Sequence, residues 1–337
     1  MTDRSVDRAR DGGTQSAEIA ASKDALPSQL TFTQSLKVYA MALWQDKTAL
    51  FAFVWLIFIL IATIGVDYLA PFNPTDQSLR ARLRPPMTPS SADMFPHLLG
   101  TDALGRDLLS RIFLAGQLSL AVGFSGVVVS GLVGVCLGLL AGYYGGRTDA
   151  IIMRAVDLQI GFPFLMLAIF ILYALGPGFW NVVLVLAIVR WPVYARVTRG
   201  MTMSLREQQF IESAKVVGCG GGRIIFRHIL PNLASPILVL ATLEIARLIL
   251  AESALSFLGL GVQPPETSWG RMIADGRQYI GTAWWLVVAP GFFIFLTALS
   301  ANLLATWARA VTDPVHRWRV LSGKRQTRSA SRLEDAS

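Results

Sequence analysis

The chain is 337 residues long, 53% hydrophobic and only 15% charged, with a mean hydropathy of +0.50. Soluble domains carry about 25% charged residues, so this chain lacks the groups to cover a water-facing surface and most soluble readings are excluded. Its net charge of +8 would suit nucleic acid, but in a membrane chain the same excess is the Lys/Arg bias of cytoplasmic loops, and its position decides.

Residues 1–35 are rich in Asp, Arg, Ser, Thr and Gly and are expected to form a disordered cytoplasmic tail. The first apolar run begins only near Thr48, so no cleaved secretory signal is expected and the first span is the targeting element. A membrane domain over 36–312 then holds six hydrophobic segments, at about 49–69, 118–142, 151–175, 181–197, 233–256 and 283–307. Each can cross about 30 Å of hydrocarbon at about 1.5 Å per residue. Gly176-Pro177-Gly178 makes a turn between the third and fourth, and Pro163, Pro192 and Pro290 are expected to kink their helices. A basic cytoplasmic tail, 313–337, ends the chain. Cys136 and Cys219 are too few for a disulfide framework.

The basic residues orient the spans. With both termini inside, 22 of the 30 Lys and Arg fall on the cytoplasmic side and seven on the other, although Arg80, Arg82 and Arg84 weaken the contrast. The segments 190–230 and 309–337 alone exceed the net charge of the whole chain, so nucleic acid is not needed to explain it.

In the second span Gly126, Ser130, Gly134, Gly138 and Gly142 recur every four residues. Small side chains on one face let another backbone approach closely. Tight packing within the chain is the first reading, and a contact between copies the second.

Catalytic motifs fare poorly. The only Gly-Lys pair, Gly323-Lys324, is followed by Arg325, so there is no nucleotide-binding P-loop. Gly123-Phe124-Ser125-Gly126 matches the nucleophile signature of intramembrane serine proteases, but a serine needs a base within reach. His97, His228 and His316 all fall in loops or tails, and their scatter also argues against a metal site.

The segment 204–230 is the most informative. Ser204 and Glu207 have the spacing of a capping box. Phe210, Ile211, Ala214 and Val217 then share a helical face, and Gly218 stands where a left-handed cap would end the helix. Gly220-Gly221-Gly222 allow a reversal into a short basic helix, Arg223–Ile229, expected to stop before Pro231. By periodicity this fits a docking element for a soluble partner and an interfacial anchor equally well.

Glu212-Ser213-Ala214-Lys215-Val216-Val217-Gly218, with Arg223–Asn232 behind it, resembles the EAA loop of ABC importer permeases. Leu99–Asp107, Gly142-Tyr143-Tyr144-Gly145-Gly146 and Ser256–Pro265 with Ser268-Trp269-Gly270 are similar to the dipeptide/oligopeptide/nickel branch. The similarity spans about residues 35–315. It implies an all-α membrane protein of the type I ABC importer permease fold, with six transmembrane helices and a cytoplasmic coupling loop.

The resemblance also implies a transport subunit with no enzymatic activity, in the bacterial inner membrane and in contact with its lipid. Its partners would be a homologous second permease, two cytoplasmic ABC ATPases and an extracytoplasmic substrate-binding protein, with no nucleic acid. No cofactor would bind this chain, ATP and Mg²⁺ residing on the ATPases. Glu212, Ser213, Ala214, Gly218, Arg223, Arg227 and Pro231 would form the ATPase-coupling loop. Ser213 stands where the family usually has alanine, and Cys219-Gly220 replace its usual Ala-Ser, which loosens the turn. Asp102, Arg106, Asp107 and Trp269 would face the binding protein, the competing reading being that the two aspartates pair with Arg106 or Arg111.

Charged residues within spans are functional candidates. Glu244 and Arg247 form an i,i+3 pair, and Glu252, which matches the family pattern, lies further along. They would line the translocation path and accommodate a charged substrate such as a peptide's termini; a self-neutralised pair is the alternative. The expected function is thus peptide import, or import of a related solute such as a nickel chelate. An ion-coupled secondary transporter is the alternative, though neither internal repeats nor a clear coupling-ion site is visible.

Overall fold

The computed structural model describes residues 40–89 and 96–312. The expected tails, 1–35 and 313–337, lie outside the described residues. Contacts divide the chain at Lys47/Thr48; in the first unit, a helical turn covers 40–45. The remainder is helical, with isolated bridges pairing Thr88 with His97 and Thr101 with Asp107.

The helices are α1 (Lys47–Ile64), α2 (Val66–Leu69), α3 (Leu108–Tyr144), α4 (Gly146–Ile160), α5 (Phe164–Leu175), α6 (Phe179–Arg206), α7 (Gln209–Val216), α8 (Gly221–Ile224), α9 (Leu230–Phe257), α10 (Trp269–Gly276) and α11 (Trp285–Thr312). Among the described residues α1, α3, α6, α11 and the run Gly221–Phe257 are each long and apolar enough to cross a membrane.

The expected second span was 118–142, but α3 starts ten residues earlier, at Leu108. Its polar first turns are satisfied within the protein: the Asp107 side chain accepts the backbone N–H of Ser110, and Gln117 donates to the Thr63 carbonyl of α1 at 2.8 Å. The helix ends where Gly145 and Gly146 both take positive φ, 67° and 52°, and reverse the chain into α4.

The expected third span, 151–175, is not one helix. α4 and α5 meet at 93° across Gly161-Phe162-Pro163. Proline cannot continue the hydrogen-bond ladder, and it restricts the residue before it. α4 lies along α6, where Asp149 pairs with Arg199, Asp157 with Arg196 at 2.8 Å, and Gln159 accepts from the Trp191 indole at 2.9 Å. The twelve residues of α5 reach about 18 Å at 1.5 Å per residue, short of the hydrocarbon thickness.

The ridge on α3 packs within the chain. Gly134, Gly138 and Gly142 lie directly on the backbone of α6, facing the carbonyls of Trp191, Ala195 and Arg199 in turn, and Gly126 faces Leu248 of α9. Ser130 returns its hydroxyl to the Gly126 carbonyl at 2.6 Å, so it presents no free donor. Three core clusters stack along this seam. One joins α1, the start of α3, α10 and α11; the next joins α3, α5, α6 and α9; the last gathers Leu139, Tyr194, Ile211, Ile224 and Ile229 beneath the 204–230 segment.

A methyl group added at Gly138 would fall 2.6 Å from the Ala195 carbonyl oxygen, whereas at Gly200 it would meet nothing within 4 Å. Gly138→Ala is expected to cost about 1–3 kcal/mol by overpacking. Gly200→Ala, at an exposed helical site, should stabilise by about 0.5–1 kcal/mol. Thermal unfolding of the detergent-purified protein checks both; equal midpoints for the two variants would refute the seam.

Candidate functional site

The 204–230 segment grows directly out of α6. Ser204 lies inside that helix, so the expected capping box does not form, and the next helix starts at Gln209, with Gln208 before it making no side-chain cap. The clamp is Arg206, whose Nη1 donates to the Tyr143 carbonyl at 3.0 Å and ties the end of α6 to the end of α3. α7 ends as its sequence suggests. Gly218 has φ 85°, its N–H bonds the Lys215 carbonyl, and the Cys219 N–H bonds that of Ala214, the two bonds of a Schellman motif.

The short basic helix does not stop before Pro231. α8 passes through a π-turn, Ile225–Ile229, straight into α9, with the Leu230 N–H reaching back to the Ile225 carbonyl. The wider turn absorbs a proline that has no N–H to give, and Pro231 sits in the first turn of α9, where it is tolerated.

Glu212, Ser213, Gly218, Arg223, Arg227 and Pro231 are exposed, while Ala214 turns inward with Ile211 and Ile224. Val217 does not share that inward face: Val216 and Val217 are 87% and 83% exposed, and Phe226 is exposed beside the two arginines. The segment therefore exposes an apolar knob, Val216 and Val217, and Phe226 between Arg223 and Arg227, over an inner face packed by Ile211, Ile224 and Ile229.

Within the spans, Glu244 has no exposed surface, and both its oxygens are bonded. Arg247 Nη1 reaches Oε1 at 2.7 Å; Arg190 of α6 reaches Oε2 through Nε at 2.8 Å and Nη2 at 2.5 Å. The expected pair is thus a trio, and Arg190 is its missed member. The Arg190 guanidinium also sits 5.7 Å from the centre of the Phe164 ring. Glu252 is closed off. It accepts from Ser256 at 2.6 Å and from Ser119 of α3 at 3.3 Å, so it ties α9 to α3 and faces no open path in this conformation.

At the other end of the molecule, the residues expected to face a partner are mostly interior. Asp102 accepts the Leu104 and Arg106 N–H groups at 2.8 and 2.9 Å, and pairs with Arg106 Nε at 2.7 Å and Arg111 Nη1 at 2.5 Å. Asp107 caps α3 and holds His97 Nδ1 at 3.0 Å. Trp269 is fully buried, its indole donating to the Ile112 carbonyl at 2.9 Å. Capping α3 and neutralising the buried Arg111 consume the acids that sequence alone would place on the surface. Of the four only Arg106 keeps partial exposure; Leu79, Arg80 and Arg82 of the same loop are among its open side chains.

A family model described as "Binding-protein-dependent transport system inner membrane component" matches residues 134–314, and one for the N-terminal transmembrane domain of oligopeptide transport permease C matches 40–86. A di/tripeptide transport system permease protein of Pseudomonas aeruginosa is 40% identical over 285 residues, 85% of this chain and 94% of the relative. The chain belongs to the family of binding-protein-dependent transport system inner membrane components. A dipeptide transport system permease protein of Alkalihalophilus pseudofirmus is 46% identical over 218 residues, 65% of this chain and 72% of that one. A probable D,D-dipeptide transport system permease protein of Escherichia coli is 40% identical over 261 residues, 77% and 85% of the two chains.

In this inner membrane component the two carboxylate trios yield separate predictions. Glu244→Gln leaves Arg190 without its counter-charge and is expected to cost about 2–4 kcal/mol, mostly from Arg190 because Arg247 is open to screening. Replacing Arg190 by Met in the same chain should recover most of that loss, as seen in thermal unfolding.

For Asp102, burial pushes the carboxyl up, but the Arg111 and Arg106 charges and the Arg106 N–H outweigh it and hold it below 3.8. A depressed native value contributes stability above the unfolded pKa, and that contribution is lost as pH falls through the native one. Protection of amides 96–107 from hydrogen exchange should therefore persist from pH 7 down to about 4 and decline below it. Asp102→Asn should lower that protection at pH 7 and remove its decline below pH 4.

Proposed function

We propose that this chain is a permease subunit of an ATP-driven importer that moves peptides across the bacterial inner membrane. The 40% identity with a di/tripeptide permease over 85% of this chain carries the reading. It would receive peptide from an extracytoplasmic binding protein, pair with a homologous permease, and rest on two cytoplasmic ATPases. Both termini would be cytoplasmic, consistent with the excess of basic residues on the 190–230 side.

The geometry of 204–230 supports the coupling role. A partner needs an exposed surface to grip and a rigid connection to what moves. Val216, Val217 and Phe226 supply the first. The second comes from two continuous helices: α6 enters the segment, and the run Gly221–Phe257 leaves it without a break. A displacement at the knob is therefore carried along the helices that hold Arg190 and Glu244. ATP-driven closure of the ATPases would favour one of two arrangements of this lever, and the chain's own part is that differential stability.

Val217→Asp places a charge at a position whose side chain is open to solvent. It should leave membrane insertion intact while abolishing co-purification of the ATPase and reducing ATP-dependent dipeptide uptake at least about tenfold, the factor equivalent to 1.4 kcal/mol. Gly218→Asp should do the same, with added strain from its left-handed backbone. Normal assembly and uptake in both variants would remove the docking assignment.

A further inference from the structure

The trio of Arg190, Glu244 and Arg247 is not neutral. Two guanidiniums share one carboxylate, and among the described residues neither arginine has a second acidic partner. Arg247 uses Nη1 for Glu244; its Nε and Nη2, the side edge of the fork, make no hydrogen bond to any described residue. The side chain is 59% exposed on a stripe that is otherwise apolar, with Leu243 part-exposed one turn before it and Leu250 exposed one turn after.

Depth makes this unusual. Arg247 lies ten residues before the end of α9 and Arg190 eleven after the start of α6, about 15 Å and 16 Å along their axes at 1.5 Å per residue. Both positions fall near the middle of a hydrocarbon layer about 30 Å thick. An open guanidinium at that depth is costly against lipid tails, so its face belongs to a polar passage or to protein. Lipid phosphates lie at the interface and do not reach it.

We propose that Arg247, oriented by Glu244 and backed by Arg190, forms a carboxylate-binding site at mid-membrane, and that its ligand is the C-terminal carboxylate of the peptide in transit. The inference rests on the peptide reading above and adds the group that is recognised. A free Nε–Nη2 edge matches the two oxygens of a carboxylate in a bidentate contact. Glu244 is already engaged at both oxygens, by Arg247 Nη1 and by Arg190 Nε and Nη2, and it takes neither group of the free edge. Partial exposure keeps the contact weak, and a site on a transport route must release what it holds. Arg190 supplies a second positive charge that is fixed by Glu244 and stays when the ligand leaves.

The test uses the assembled transporter in liposomes, with its ATPases, second permease and binding protein. A dipeptide and its C-terminal amide are each supplied at concentrations that saturate the binding protein, so that the maximal rate reports steps beyond capture. Arg247→Gln should cut uptake of the free acid about tenfold and leave the amide within about twofold. Arg247→Lys, which keeps the charge but not the fork, should give acid uptake between that of the wild type and of Arg247→Gln, while the retained amide uptake guards against a folding defect. Unchanged rates for both forms would overturn the site. So would an equal fall in both, including one in which the second permease is lost from the purified complex because Arg247 pairs with a carboxylate there. A wild-type transporter that moves neither form would instead overturn the peptide reading, and the carboxylate site with it.

Discussion

Direct backbone contact between α3 and α6 is the constraint on which the rest of the molecule depends. In hydrocarbon there is no hydrophobic force to drive helices together, so association relies on close van der Waals packing, and side chains larger than hydrogen keep axes apart. Gly134, Gly138 and Gly142 remove that obstacle on three successive turns, against the carbonyls of Trp191, Ala195 and Arg199. The seam sets the height and rotation of α6. Arg190 is thereby turned toward α9, and Arg206 arrives where it can clamp the end of α3. The trio within the membrane and the 204–230 segment are thus joined by one helix, which carries Arg190 at its middle and Arg206 at its end.

Among the described residues a carboxylate sits between two arginines twice, with opposite consequences. Around Asp102 both guanidiniums are largely enclosed, and two backbone N–H groups complete the carboxylate's bonds. Truncating such a cluster exposes a buried charge, so its contribution is to the fold. Around Glu244 one guanidinium is held against Phe164 and the other is open. The same charge arithmetic yields a rigid staple where both arginines are covered and an exposed cation where one is not. Solvent access to the second arginine separates the two roles.

What the sequence reveals follows from how local the determining contacts are. The ridge is visible because a helix face repeats every three to four residues, and the end of α7 because only glycine adopts its backbone angle at little cost. Arg190 was not visible: it lies 54 residues from Glu244, and no local pattern links them. The start of α3 was hidden because Arg111 and Gln117 look too polar for a span until their partners Asp102 and Thr63 are known. Asp102, Asp107 and Trp269 were misplaced for the converse reason. A motif of acids and an aromatic beside a membrane surface looks like an interface, and here these side chains cap and neutralise a helix end. The bend at Pro163 was expected as a kink and is a full change of direction, because no turn of α4 beyond Gly161 can bond across it.

The π-turn at Ile225–Ile229 joins the 204–230 segment and the helix that follows it into one body. A helix ending before Pro231 would leave a hinge between the surface and the membrane, and any push at Val216 and Val217 would be absorbed there. The structure instead widens one turn to pass the proline and keeps the run Gly221–Phe257 continuous. Ile211, Ile224 and Ile229 lock α7 onto the same base, so the apolar knob cannot move without that base. Both routes out of the segment, α6 and α9, then lead to the same trio, whose carboxylate is on α9 and whose inner arginine is on α6. A relative shift of those two helices must stretch the Arg190–Glu244 bonds or rotate Arg247 on its exposed face. The exposed Arg247 therefore sits on the same bonds through which any shift between α6 and α9 must act.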